Sequence, residues 1–85
     1  MSKIPELFGA VVRRHREASG LSQEDFADKA GIHRTYVSSI ELGKVQVSIG
    51  VAHQLAEALG VPLSKIWREI ERKLATAKGR PKEAK

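Results

Sequence analysis

The side chains best suited to chemistry lie between Leu21 and Gly43, where two short amphipathic segments are joined by a glycine. At roughly 100° per residue, the second segment turns Val37 and Ile40 inward. Its outward face is small and polar, with one arginine on the flank: Arg34, Thr35, Ser38, Ser39 and Leu42. A guanidinium can donate two hydrogen bonds to guanine, and a threonine methyl can contact a thymine methyl. The pattern predicts a helix that reads base edges in a groove of DNA.

A shorter helix must precede and position that reading helix. Ser22 is a good N-cap, and Asp25 follows three residues later, as in a capping box. The segment also has one apolar face, formed by Phe26, Ala27 and Ala30. Gly31 can adopt the left-handed conformation that ends a helix. Two helices joined in this way predict a helix-turn-helix, a DNA-reading unit.

Three more helices are predicted around this pair. Apolar spacing and helix-ending glycines indicate helices over about 5–19, 48–59 and from 63 to before 79. In the fourth helix the residues expected to face the core are Ile49, Ala52, Leu55, Ala56 and Leu59. No strand pattern occurs. We therefore expect an all-α, five-helix bundle over residues 1–77 and a flexible basic tail over 78–85.

Length and composition restrict the class of protein. The chain has 85 residues and no cysteine, which predicts one domain without disulfides or thiolate zinc sites. No stretch approaches the roughly 20 apolar residues of a membrane helix, and the N-terminus lacks the apolar core of a secretory signal. We expect a cytoplasmic protein that does not bind membranes.

The net charge of +5 suggests an anionic partner, but most of this excess lies in the tail. Residues 1–70 hold nine Lys or Arg and eight Asp or Glu, whereas residues 71–85 hold six and two. The folded part must therefore bind phosphates through a local patch and helix N-termini.

Other chemistry finds little support in the sequence. His53 and Glu57 lie four residues apart, but no third metal ligand is evident, and a solvated pair explains the spacing. His15 is interpreted as a half-buried histidine rather than a metal ligand. No nucleophile constellation or phosphate loop is present, so we expect no enzyme activity, metal or cofactor. The 78–82 segment could enter a minor groove, although a flexible tail is the simpler interpretation.

Four spaced motifs carry a resemblance to a known family. They are Gly9-x-x-x-Arg13-x-x-Arg16, Gly20-Leu-Ser-Gln-x-x-x-Ala27-x-x-x-Gly31-Ile32, Val37-Ser-x-Ile40-Glu41-x-Gly43 and Leu55-Ala-x-x-Leu59-Gly-Val61. From about Phe8 to Trp67 the chain resembles the Cro and phage-repressor type of helix-turn-helix proteins, whose fold is lambda-repressor-like. The helix at 33–38 looks most like the small controller proteins of restriction-modification systems, which are dimeric autoregulators.

The resemblance implies roles for individual residues. His33, Arg34, Thr35 and Ser39 stand where the family reads bases, and Ser38 belongs to the same outward face. Gln23, with Ser22 beside it, stands where the family grips a phosphate. Tyr36 and Lys44 are expected to touch the DNA backbone, although Tyr36 could instead pack on the first helix. Arg16 and Glu41 stand where the family forms a structural ion pair.

A homodimer is expected, because one reading helix contacts too few base pairs to discriminate within a genome. Its predicted interface uses apolar residues of the fourth and fifth helices: Val51, Val61, Leu63, Ile66, Trp67, Ile70 and Leu74. In a monomer we expect Ile70 and Leu74 to keep exposed apolar surface. The alternative is that Trp67 simply closes the monomer core.

Two functions follow from these observations. The first is a sequence-specific transcriptional regulator that binds paired half-sites on double-stranded DNA as a homodimer. The second is a DNA-binding antitoxin or adaptor whose main partner is another protein, docked on the fifth helix and the tail.

Overall fold

The computed structural model describes residues 3–77, and within that range it contains five helices and no strand. The helices are α1 (Ile4–Ala18), α2 (Gln23–Ala30), α3 (Arg34–Glu41), α4 (Ile49–Leu59) and α5 (Leu63–Ala77). The predicted all-α fold is confirmed, and the predicted bounds of α1 and α4 and the predicted start of α5 agree with the structure to within one residue. The predicted basic tail, 78–85, lies outside the described residues.

Serine caps and left-handed glycines set the helix boundaries. Ser22 Oγ accepts a hydrogen bond from the Asp25 amide at 3.0 Å, and Ser48 Oγ accepts one from the Val51 amide at 3.1 Å. Gly31 and Gly60 end α2 and α4 with φ of 76° and 74°. These values lie in the region that side chains with a Cβ rarely occupy.

The core is built from one apolar stripe on each helix. Its largest fully buried side chains are Phe26, Ile40, Leu55, Ile66, Ile70, Val11, Val12 and Val37. Helix α1 packs against α3 and α5, while α2 packs against α3 and α4. Helix α3, which is predicted to read bases, is therefore held from two sides. Within residues 3–77, no helix has the length and hydropathy needed to cross a bilayer.

Two expectations about burial are wrong. Ile49 was expected in the core but is 83% exposed, because it begins α4 one turn before the first core residue of that helix, Ala52. Ile70 was expected to keep exposed surface but is fully buried, as is Ile66, because α5 packs along α1. Leu74 is half-buried and also packs against the core. Trp67 does not close the core, since it is 44% exposed.

Candidate nucleic-acid interface

The outward face of α3 is open to solvent at its N-terminal end. His33, Arg34 and Thr35 are exposed, and Ser38 and Ser39 are half-buried further along. The side chain of Arg34 makes no hydrogen bond or ion pair with any residue in the range 3–77. A guanidinium without an internal partner is free to form the two parallel hydrogen bonds that guanine accepts.

Unsatisfied amides at the starts of α2 and α3 add donors near this face. The Ser22 cap bonds the amide of Asp25, so the amides of Gln23 and Glu24 have no acceptor among residues 3–77. His33 provides no side-chain cap for α3, and the first two amides of that helix, those of Arg34 and Thr35, are also unbonded within this range. Backbone N–H groups at helix starts suit phosphate oxygens.

A buried ion pair fixes the far end of α3 to α1. Arg16 Nε donates to Glu41 Oε2 at 2.7 Å, and Arg16 Nη2 donates to Glu41 Oε1 at 3.0 Å. Arg16 Nη1 donates to the carbonyl of Leu21 at 2.8 Å, which ties the start of the helix-turn-helix to the same guanidinium. The hydrogen bonds from Arg16 to Glu41 raise the pKa of Arg16 above its ordinary value, so its charge is constant. The pair holds α1, α3 and the loop before α2 in one geometry.

Gln23 joins this ion pair, which the sequence pattern did not indicate. Its side-chain Nε2 donates to Glu41 Oε1 at 3.0 Å. One of the two amide hydrogens is thereby used inside the protein, and the second remains for an outside acceptor. A phosphate contact by Gln23 stays a prediction, and the structure adds that Glu41 orients its amide.

Two glycines let the backbone of α1 come into direct contact with the backbone at the end of α3. A Cβ on Gly9 would lie 2.1 Å from the carbonyl oxygen of Ile40. A Cβ on Gly43, which has φ of 75°, would lie 2.8 Å from Glu6 Cα. Because no side chain separates the two backbones, α1 acts as a rigid support for α3.

The other residues predicted to contact DNA or to point outward differ in their exposure. Ser22 and Lys44 are exposed, with Ser22 acting as a cap. Tyr36 is half-buried and packs against the core, and its contact with the DNA backbone stays a prediction. Leu42, predicted to point outward, is 58% exposed at the end of α3.

A second ionic cluster links α1 to α5, and sequence reasoning missed it. His15 Nε2 lies 3.0 Å from Glu69 Oε2, and Arg14 donates to the other oxygen of Glu69. Burial alone would raise the pKa of Glu69, but the His15 hydrogen bond and the charges of His15, Arg14 and Lys65 together lower it. His15 is half-buried, as predicted. Its partner lies 54 residues away, beyond any local pattern.

No metal centre emerges from the described part of the chain. Residues 3–77 contain no group of three or more His, Cys, Asp or Glu side chains placed to hold an ion. His53 Nε2 and Glu57 Oε2 lie 3.9 Å apart in an exposed pair, as expected for two solvated side chains four residues apart on a helix.

The helix-turn-helix family profile matches residues 12–66, a range that contains all the residues predicted above to contact DNA. The chain belongs to the helix-turn-helix family. This membership confirms the resemblance found in the sequence. It is a family of DNA-binding transcriptional regulators and not a family of enzymes.

Control proteins of restriction-modification systems are among the relatives of this family member. Control protein C.MunI from a Mycoplasma species is 40% identical over 73 residues, covering 85% of this chain and 99% of that protein. The controller C.AhdI from Aeromonas hydrophila superposes with a TM-score of 0.74 at 35% identity, covering 76% of this chain and 98% of that chain. The C.Esp1396I tetramer in complex with its natural 35 base-pair operator gives a TM-score of 0.79 at 25% identity, covering 86% and 96%.

Proposed function

We propose that this helix-turn-helix protein is a sequence-specific transcriptional regulator that binds paired operator half-sites as a homodimer. The observation that carries the proposal is the open N-terminal end of α3. There Arg34 and Thr35 are exposed, and the Arg34 guanidinium has no partner within residues 3–77. Operator DNA lies in the cytoplasm, so we expect the protein to act there.

Specificity comes from α3 in this proposal. The side chains assigned to base edges are His33, Arg34, Thr35, Ser38 and Ser39. Arg34 carries the largest share, because it can bond guanine O6 and N7 together. The half-buried serines follow further along the helix and contribute short-range hydrogen bonds.

Backbone contacts set the register of α3 in this proposal. The free amides of Gln23 and Glu24 and the second hydrogen of the Gln23 side chain bind one phosphate beside α2. Lys44 and Tyr36 bind backbone atoms on the other side of α3. Because folded residues up to 70 have almost no net charge, these local donors supply the attraction to DNA.

Assembly as a two-fold dimer follows from the small reach of one α3 helix. C.Esp1396I binds its operator as a tetramer. The match to C.MunI, a control protein, covers 99% of the length of that protein. These likenesses support autoregulation of the kind that controller proteins perform. The interface proposed from the sequence includes Val51, Val61, Leu63, Trp67 and Leu74. Ile66 and Ile70 are fully buried in the monomer and offer no surface to a partner.

The alternative of an antitoxin or adaptor that docks another protein on α5 has less support. The apolar stripe that was expected to receive such a partner is largely occupied, since Ile66 and Ile70 pack against α1. The relatives described above also bear the names of control proteins.

Footprinting tests the proposed function. We expect the protein to protect two patches on one face of an operator selected from DNA upstream of its own gene, with centres about 34 Å apart. A single protected patch would contradict paired half-sites. Even, weak protection of every sequence at moderate salt would contradict specific recognition.

A further inference from the structure

Leu42, the C-cap of α3, is a large apolar side chain that the bundle leaves in water. It is 58% exposed, whereas Val37 and Ile40 of the same helix are buried in the core. Transfer of such a side chain from water to an apolar contact is favourable. Because single exposed leucines are common on protein surfaces, the direction in which Leu42 points decides what it can contact.

Leu42 continues the face of α3 that carries the residues assigned to bases. It follows Thr35 by seven residues, which at 100° per residue is within about 20° of two full turns, and lies about 10 Å further along the helix axis. The helical backbone extends to Leu42, since its φ and ψ are −86° and −2° and its amide donates to the Ser38 carbonyl at 3.0 Å. The side chain therefore leaves the helix in nearly the same direction as that of Thr35.

The backbone on both sides of Leu42 is held in place by α1. A Cβ on Gly43, the next residue, would lie 2.8 Å from Glu6 Cα, so the two backbones are in contact. Glu41, the preceding residue, is buried, and its Oε2 lies 2.7 Å from Arg16 Nε. Because both neighbours are fixed, a contact made by Leu42 has to order only the side chain itself.

We propose that Leu42 contacts the C5-methyl group of a thymine in each operator half-site and thereby selects thymine at that position. This inference rests on the proposed function, in which α3 lies in the major groove. The base edges there present hydrogen-bond donors and acceptors, and the methyl group of thymine is the apolar group among them. A leucine side chain has neither donor nor acceptor, so the thymine methyl is the base-edge group that it can recognise.

Charge at both ends of this face suits DNA as the neighbour of Leu42. Arg34 is exposed at the start of α3, and Lys44 is exposed two residues beyond Leu42, where it can bind a phosphate. The apolar side chain thus lies between two cations that attract the strands on either side of a groove. At about 3.4 Å per base pair, the separation of about 10 Å places the thymine about three base pairs from the pair that Thr35 contacts.

Replacement of thymine by uracil tests the proposal, because uracil lacks only the C5-methyl group. Each thymine of the footprinted operator is replaced in turn, in both half-sites, and the dissociation constant is measured for the wild type and for Leu42→Ala. At one position we expect wild-type binding to weaken about fourfold per half-site, and about 15-fold over both, as one methyl group leaves an apolar contact. Leu42→Ala should bind the thymine and uracil operators equally at that position.

Two further variants serve as controls, and the readout for each is the ratio of the dissociation constants for the uracil and thymine operators. Leu42→Met keeps an apolar side chain of similar volume and should retain a ratio well above one. Ile49→Ala removes an even more exposed apolar side chain outside α3 and should leave the wild-type ratio unchanged. Because both positions are exposed, all variants should fold, which circular dichroism checks.

The outcomes separate this inference from the proposed function. A uracil scan that leaves wild-type binding unchanged at every position would overturn the methyl contact. A Leu42→Ala variant that keeps the wild-type ratio would also overturn it, because the sensitive methyl group would then face another side chain. Both results keep the proposed function if the wild type still prefers its operator to scrambled DNA. A wild type without that preference would overturn the methyl contact and the proposed function together.

Discussion

Adding a single methyl group at Gly9 should destabilise the fold by driving α1 away from α3. In the structure a Cβ at this position would lie 2.1 Å from the carbonyl oxygen of Ile40 and 2.9 Å from that of Glu41. Carbon and carbonyl oxygen atoms approach to about 3.3 Å at closest, so the two helices would have to separate by about 1 Å. Both atoms that block the methyl group belong to the backbone, so no side chain can rotate out of the way.

The expected change in the free energy of unfolding follows from two opposing effects. Alanine is favoured over glycine inside a helix by about 1 kcal/mol. Overpacking of a well-packed contact costs about 1 to 3 kcal/mol, and occasionally more. A contact as short as 2.1 Å lies at the upper end of that range, so we expect Gly9→Ala to lower the free energy of unfolding by about 2 kcal/mol. For a domain of this size the melting temperature should fall by about 10 °C.

Gly50→Ala provides the matched control, since it makes the same change in another helix. A Cβ on Gly50 would meet only Ser48 Oγ, at an ordinary contact distance of 3.8 Å. We expect Gly50→Ala to be neutral or more stable than the wild type by a few tenths of a kcal/mol. Chemical denaturation followed by circular dichroism, at equal protomer concentration for all three proteins, measures both changes. Equal stability of the two variants would refute the close approach of α1 and α3.

Two further predictions concern the ionic contacts. The first is a double-mutant cycle on the free energy of unfolding with Arg16→Ala and Glu41→Ala. Because both groups are buried, their coupling should exceed the roughly 0.2 to 1 kcal/mol of exposed ion pairs. Additive losses of stability would argue against the pair. The second is that Glu69 should make the fold sensitive to acid. Its pKa in the folded state is lower than its ordinary value of 4.5, so the unfolded chain binds more protons than the folded chain. The free energy of unfolding should therefore decrease as the pH falls below about 4.5. Glu69→Gln should make the free energy of unfolding depend less on pH in that range. If denaturant titrations show the same dependence on pH for this variant and the wild type, the role of the cluster with His15 is contradicted.

Most of the fold was predictable because the determining signals are local. Ser22, Ser48, Gly31 and Gly60 mark helix ends by capping and by left-handed backbone conformation, and the structure uses all four in this way. The outward face of α3 follows from helical periodicity alone. The family resemblance added residue roles that periodicity does not provide.

The features that escaped prediction depend on packing between distant segments. The partnership of His15 with Glu69, and that of Gln23 with Glu41, arise only when separate helices are docked. Burial was misjudged at Ile49 and Ile70 for the same reason, because helical periodicity gives the face of a residue but not how far the neighbouring helix extends. The apolar groove between the start of α1, the 45–48 loop and the first turns of α4 and α5 likewise has no signature in the sequence, since four separate segments each supply part of it.

The most direct measurement of the central claim compares Arg34→Ala with Gln23→Ala on an operator and on scrambled DNA, each at several salt concentrations. If α3 reads bases, Arg34→Ala should weaken operator binding by about 1 to 3 kcal/mol and relax discrimination at one base pair in each half-site, with little effect on scrambled DNA. Gln23→Ala should weaken binding to both DNAs by similar factors, because its contact is a phosphate. Equal losses on operator and scrambled DNA for Arg34→Ala would contradict the assignment of α3 as the reading helix.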